Sequence, residues 1–329
     1  MSVPYKVWIA GARPRTLPAA VVPVVVGTAA GYLYSGHFLL AHEKVNGHVG
    51  YYAVVSQHLS ILNALLALIV ALGLQVGTNY VNDYADGVRG TDDVRAGPVR
   101  LVAGKLATVR EVKIAAAISF GVAAVAGLIL AEQVSWFLIP VGLVCGLAGW
   151  AYTGGKMPYG YLGLGELFVF VFFGLVATAG SAYVQHAPLA TTYMGHIFRY
   201  SYPWGLALWT GVPVGLLAAA LLQANNLRDV ATDTVSGKKT VAVRLGRERA
   251  GYLFVATLML TALSLGILQH YRGWVLLGLA AMPLAFYPVR LALSDRQGAK
   301  LLPMLAATAR LQIAVGVLLA AGLLLLSPT

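Results

Sequence analysis

The chain has 329 residues, of which 59% are hydrophobic and 11% charged, against about 45–50% and about 25% in an ordinary soluble domain. This composition excludes a soluble globular enzyme. The formal net charge of +11 would suggest nucleic acid as the partner of a soluble protein, but the basic residues occupy short loops between apolar runs, where the bilayer surface is their partner and nucleic acid is not.

A spanning helix needs about 20 apolar residues to cross about 30 Å of hydrocarbon. By that measure the sequence predicts nine, over 16–34, 59–80, 114–131, 135–153, 163–183, 204–224, 251–269, 274–293 and 304–326. The first apolar run follows Lys6, Arg13 and Arg15 and lacks the small-residue cleavage pattern of a secretory signal, so it reads as a retained helix. Cys145, the single cysteine, falls in the fourth run and supports neither a disulfide nor a CxxC metal site. Glycine and proline inside several runs, such as Gly121, Gly211, Pro213 and Pro283, suit helices that pack closely in a membrane. The expectation is an all-α polytopic membrane protein whose helices surround a central cavity. A single domain covers 1–329, with two similar halves over roughly 1–160 and 161–329.

The alternation of loops separates the charges. Twenty of the 23 Lys and Arg residues fall on the side of the N-terminus, leaving Lys44, Arg199 and Arg272 on the other. The positive-inside rule then predicts a cytoplasmic N-terminus and, for an odd number of helices, an external C-terminus. All seven histidines fall on the external side, whereas nine of the twelve acidic residues fall at or near the cytoplasmic one. Chemistry on the cytoplasmic face therefore proceeds without a histidine base.

Two segments concentrate the acidic and amide side chains. The second predicted helix runs out through Asn79, Asn82, Asp83 and Asp86, followed by Arg89, Asp92 and Asp93. The offsets of three, four and seven residues place the first four on one helical stripe. The sixth runs out through Asn225, Asn226, Arg228, Asp229 and Asp233, in which Asn225, Asp229 and Asp233 again share a face. Carboxylates near hydrocarbon are costly unless paired, solvated or bound to a cation. Hard oxygen donors on helix ends suit Mg²⁺, which keeps some waters and bridges one or two carboxylates to substrate phosphates. Arg89, Arg95, Lys156, Arg228, Lys238 and Lys239 stand beside these clusters as candidates for the oxygens of a diphosphate. A third segment, Tyr152 to Gly160 with Lys156 inside it, forms a glycine- and proline-rich turn after the fourth helix. Glu166 lies within the fifth helix, and Arg310 and Gln312 within the ninth, where they either line the cavity or snorkel.

These motifs resemble those of the UbiA superfamily of intramembrane prenyltransferases. Asn82-Asp83-Tyr-Ala-Asp86 with Asp92 looks like its first aspartate-rich motif, Asn225-Asn226-Leu-Arg228-Asp229-Val-Ala-Thr-Asp233 like its second, and Tyr152 with Lys156 like its Tyr-xxx-Lys motif. The strings over 82–102 and 225–246 are most similar to the branch that prenylates 1,4-dihydroxy-2-naphthoate in menaquinone biosynthesis. Gly90 stands where the 4-hydroxybenzoate branch carries a further aspartate. The resemblance implies a Mg²⁺-dependent enzyme of a bacterial cell membrane that uses polyprenyl diphosphate and dihydroxynaphthoate, releasing CO₂ and diphosphate and forming demethylmenaquinone. It implies metal binding by Asn82, Asp86, Asp92, Asn225, Asp229 and Asp233. Lys156, Arg228 and Lys238, with Tyr152 alongside, are then the residues for prenyl diphosphate, and Asp83, Asp86, Asp229 and Lys156 the catalytic set. Within the superfamily the alternative is another aromatic acceptor such as 4-hydroxybenzoate, and two rivals outside it fit less well. A CDP-alcohol phosphotransferase keeps all its aspartates close in sequence, and a cation-coupled transporter places its acids near the bilayer midplane.

Overall fold

The computed structural model describes residues 3–32, 36–45, 48–57, 59–90, 100–155, 158–185, 190–193, 196–199, 204–271 and 273–325. The chain opens with α1 (Tyr5–Gly11), a 3-10 turn over Pro14–Thr16 and α2 (Pro18–Tyr32), and bends by 57° at the junction. The bend has local causes. Pro14 and Pro18 have no backbone N–H to extend a helix, and Arg13 takes a left-handed φ of 54°. There follow α3 (Ile61–Val88), α4 (Val109–Gln133), α5 (Leu138–Ala151), α6 (Gly165–Tyr183), α7 (Trp204–Val235), α8 (Arg247–Leu268), α9 (Trp274–Ala292) and α10 (Gly298–Leu324).

Each of the nine predicted apolar runs is thus helical, but the runs are not nine equal spans. Among the described residues seven helices are long and apolar enough to cross a membrane, and the bent pair makes an eighth if taken as one span. The 14-residue α5 is about 21 Å long at 1.5 Å per residue, short of the hydrocarbon thickness. The membrane region is all-helical as expected, and two antiparallel hairpins are added where the hydropathy pattern leaves loops. β1 (Gly36–Val45) pairs with β2 (His48–Gln57) between α2 and α3, and β3 (Ala190–Tyr193) pairs with β4 (His196–Arg199) between α6 and α7.

The entry and exit of the helices follow local rules. Ser60 caps α3, its hydroxyl accepting from the Asn63 N–H at 3.2 Å. Thr108 and Glu111 form a reciprocal capping box at the start of α4. Centrally placed, α7 packs against α2, α6, α8 and α10, and its apolar stretch is two-thirds buried. Close approach there depends on glycine. A Cβ on Gly27 of α2 would lie 2.2 Å from the Thr178 carbonyl of α6, and one on Gly174 would lie 2.5 Å from Gly215 Cα of α7. The outer surface is a belt of exposed apolar side chains such as Ile118, Leu143, Met259 and Phe286, as lipid contact requires. Phe170–Val176 within α6 is wound as a π-helix, a geometry that tends to occur at functional sites. Phe172, Phe173 and Val176 line the central cavity.

Candidate active site

Both stripes start about 30 Å along their helices. On α3, Asn79 lies about 27 Å from Ile61, and on α7, Asn225 lies about 32 Å from Trp204, at 1.5 Å rise per residue. An apolar run that fills the hydrocarbon therefore delivers the polar stripe to one end of the bundle, and the two helices deliver theirs to the same end. There they border a cavity of about 330 Å³. Its polar end is lined by Asn82 and Asp86 of α3, Asn225, Asn226 and Asp233 of α7, and Lys238 just beyond α7. Its other end reaches Ala67 of α3 and Val184 beyond α6. Between Ala67 and Asp86, α3 rises about 28 Å, so the cavity follows nearly the whole apolar depth. Leu74, Leu130, Val141, Phe168 and Phe172 line it along the way, as does half-buried Cys145.

The ends of α3 and α7 are tied together by an ion pair. Lys238 Nζ donates to Asp86 Oδ2 at 3.1 Å, with both side chains almost wholly buried. Lys239, the next residue, is exposed, and its N–H donates to the Tyr161 carbonyl at 2.9 Å. The Tyr161 hydroxyl donates to Asp86 Oδ1, while its ring lies 4.6 Å below Lys238 Nζ and 5.4 Å below the Arg89 guanidinium. Arg89 in turn donates to the carbonyls of Thr153 and Gly155, and the Thr153 hydroxyl donates to Asn82 Oδ1. The turn after α5 is thereby locked onto the end of α3. Tyr152 begins an aromatic series along the wall, meeting Tyr159 edge-on at 5.5 Å. Tyr159 stacks on Phe168 at 4.0 Å, and Phe168 on Phe172 at 5.8 Å. Burial pushes the Tyr159 phenol above its usual range, and its hydroxyl donates to the Ala148 carbonyl at 2.8 Å.

The residues expected at the site take different places. Asp83, expected among the catalytic carboxylates, does not line the cavity. It sits about 100° round the helix from Asn82, and its carboxylate accepts the backbone N–H groups of Leu101 and Val102. Asp229, expected as a metal ligand, is not among the cavity's lining residues either. It is held by Arg228 in a bidentate pair, with Nε to Oδ1 at 2.7 Å and Nη2 to Oδ2 at 2.6 Å. Arg228 itself faces a neighbouring cavity of about 270 Å³, lined also by Arg13, Arg15 and Arg100 and, among the described residues, by no carboxylate. Its Nη1 is buried with no hydrogen-bond partner among the described residues. Arg13, Thr16, Arg100 and Asn225 border both cavities. Asn79 is a structural link, its amide nitrogen donating to the Ala12 carbonyl at 2.9 Å. Glu166 accepts from Asn226 Nδ2 at 3.0 Å. Gln312 is fully buried and Arg310 exposed, and neither lines either of these two cavities. Asp92, Asp93, Arg95 and Lys156 lie outside the described residues.

Tyr161, Thr153, Arg13 and Arg100 were not singled out by motif. The arginines read as topological charges, and Tyr161 stands one residue past the turn motif. The donors at the polar end are all hard oxygens. Among the described residues no three His, Cys, Asp or Glu side chains converge to hold an ion by themselves. An ion that keeps water and shares substrate phosphates needs only one or two carboxylates, and Asp86 and Asp233 in one cavity meet that requirement.

Residues 47–310 match the UbiA prenyltransferase family. A 1,4-dihydroxy-2-naphthoate octaprenyltransferase of Mycobacterium leprae is 43% identical over 97% of this chain and 96% of its own. One of Escherichia coli is 33% identical over 97% of this chain and 95% of its own. Among solved structures, a UbiA homologue from Archaeoglobus fulgidus bound to DMAPP and Mg²⁺ superposes with a TM-score of 0.58 over 95% of this chain and 98% of its own, at 14% identity. The apo structure of a homologue from Aeropyrum pernix gives 0.60 over 93% and 96%, also at 14%. The chain is a multi-pass membrane protein and belongs to the UbiA prenyltransferase family.

Proposed function

We propose that this protein transfers a polyprenyl group from polyprenyl diphosphate to 1,4-dihydroxy-2-naphthoate, releasing diphosphate and CO₂ and forming demethylmenaquinone. The observation that carries the reading is the meeting of Asp86 and Asn82 with Asp233 and Lys238, from the two halves of the chain, at one end of a deep apolar cavity. The relatives' names support the naphthoate acceptor.

The cavity suits an amphiphile with a long apolar tail and an anionic head. Its aliphatic and aromatic walls hold the isoprenoid chain and keep water from the allylic carbon when the diphosphate departs. Lys238, Arg13 and Arg100 direct cationic groups at the head. Asn82, Asp86, Asn225 and Asp233 are the residues that would hold Mg²⁺, which when bound supplies charge neutralisation for the leaving diphosphate. The adjoining cavity, lined by Arg13, Arg15, Arg100 and the Asp229-paired Arg228 and, among the described residues, by no carboxylate, favours an acceptor that carries an anionic group, as an aromatic acid does. The charge asymmetry of the loops supports a polar end that faces the cytoplasm.

The test is a competition with purified protein, Mg²⁺ and a polyprenyl diphosphate, offering dihydroxynaphthoate and 4-hydroxybenzoate together. Demethylmenaquinone is the expected product, and prenylated 4-hydroxybenzoate alone would overturn the acceptor assignment. Asp86→Ala and Asp233→Ala should each lower turnover by about 10²-fold or more, the scale of removing one preorganised electrostatic group. Near-normal Mg²⁺-dependent turnover in both variants would show the site to be misplaced.

A further inference from the structure

We infer that Asp83 is a positioning residue whose carboxylate sets Arg100 in the anion-binding wall, and that it does not bind metal. The inference rests on the proposed reading of the site as one that takes a diphosphate head. Asp83 is 1% exposed and points away from the cavity that Asn82 and Asp86 enter. The Leu101 N–H donates to its Oδ1 at 3.1 Å and Oδ2 at 3.0 Å, and the Val102 N–H donates to Oδ1 at 3.0 Å. A carboxylate that accepts two backbone amides at both of its oxygens is acting as an anchor for the chain.

The chain so anchored begins with Arg100, which lines both cavities. Leu101, wholly buried, fits against Tyr80 and the backbone of Gly11, where an added Cβ would lie 2.6 Å from a Leu101 methyl group. The amides of 101 and 102 therefore have fixed positions on the α3 side, and the residue preceding them is held with its side chain toward the ligand space. No other carboxylate accepts from Leu101 or Val102 among the described hydrogen bonds. A buried anchor of this kind explains why an aspartate adjoins Asn82 although it faces away from the site.

The inference is tested by calorimetric binding of inorganic pyrophosphate in the presence of Mg²⁺ to the full-length protein in detergent, together with the Mg²⁺ midpoint for turnover and the KM for prenyl diphosphate. Asp83→Asn puts an amide N–H₂ where two donors must be accepted. It should weaken pyrophosphate binding about tenfold, or about 1.4 kcal/mol, and raise KM by a similar factor. The Mg²⁺ midpoint should stay within about twofold of wild type, and Asp83→Glu should recover most of the binding. Arg100→Lys added to Asp83→Asn should weaken binding little further, because the two act through one group. Should Asp83→Asn not accumulate as folded protein, Val102→Pro removes one of the three bonds and leaves the carboxylate in place, and it should weaken pyrophosphate binding severalfold at an unchanged Mg²⁺ midpoint. Wild-type affinity in the folded Asn variant, a shifted Mg²⁺ midpoint, or strict additivity with Arg100→Lys each overturns the inference. Absence of pyrophosphate binding by the wild-type protein overturns the reading of the site along with it.

Discussion

Residues of one type, a turn apart, do different work in this protein, and the difference is set by angle and by the nearest partner. Asp86 faces the cavity and meets Lys238 and Tyr161, whereas Asp83 is spent on two backbone amides. Lys238 is buried on Asp86 while Lys239 is exposed. Tyr161 joins these elements, since its hydroxyl orients Asp86 and its ring supports two cations. Tyr161→Phe removes the hydrogen bond to a charged acceptor, worth about 1.5–3 kcal/mol, and keeps the ring. We expect kcat/KM for prenyl transfer to fall about tenfold in the Phe variant and severalfold further in Tyr161→Leu, which also loses cation–π contacts worth about 0.5–2 kcal/mol. Equal rates for wild type and the Phe variant would show that the hydroxyl has no role.

At the scale of elements, the helices stand where hydropathy predicts them and differ in how they are joined and bent. The first predicted span, 16–34, is the second arm of a bent pair whose first arm, α1, hydropathy does not predict; Arg13, Pro14 and Pro18 interrupt the pair, and this break carries Arg13 and Thr16 into the cavity wall. Contact between α2 and α6 leaves no room at Gly27 for a side chain. Gly27→Ala is expected to destabilise by about 1–3 kcal/mol, the usual cost of overpacking, read as a lower thermal unfolding midpoint in detergent. Gly121→Ala, at a position with nothing within 4 Å of the added carbon, serves as the control and should leave the midpoint nearly unchanged. A Gly27 variant as stable as that control would contradict the close packing.

For the whole molecule, the bundle gathers its polar chemistry at one end and leaves an apolar belt around the middle. The loop charges predict which end is cytoplasmic. In a Cys145→Ala background, an impermeant thiol reagent applied to intact cells should label Lys44→Cys, in β1, and spare Lys6→Cys, in α1, until the membrane is opened. The opposite pattern would invert the topology and put the cavity's polar end outside.

The membrane class, the positions of the apolar helices and the placement of two Asn/Asp stripes at their ends were legible in the sequence, because hydropathy and the 3.6-residue period are local properties of a helix. Only the tertiary structure decided which members of each stripe reach the cavity. That outcome depends on how each helix is rotated against its neighbours and on what a distant segment presents to it. Asp83 is taken by the backbone at 101 and 102, Asp229 by Arg228, and Asp86 by a lysine 152 residues away. Arg228 is the preceding residue on the same helix, but no spacing rule along α3 contains the partners of Asp83 and Asp86, which are brought to it by packing between distant segments.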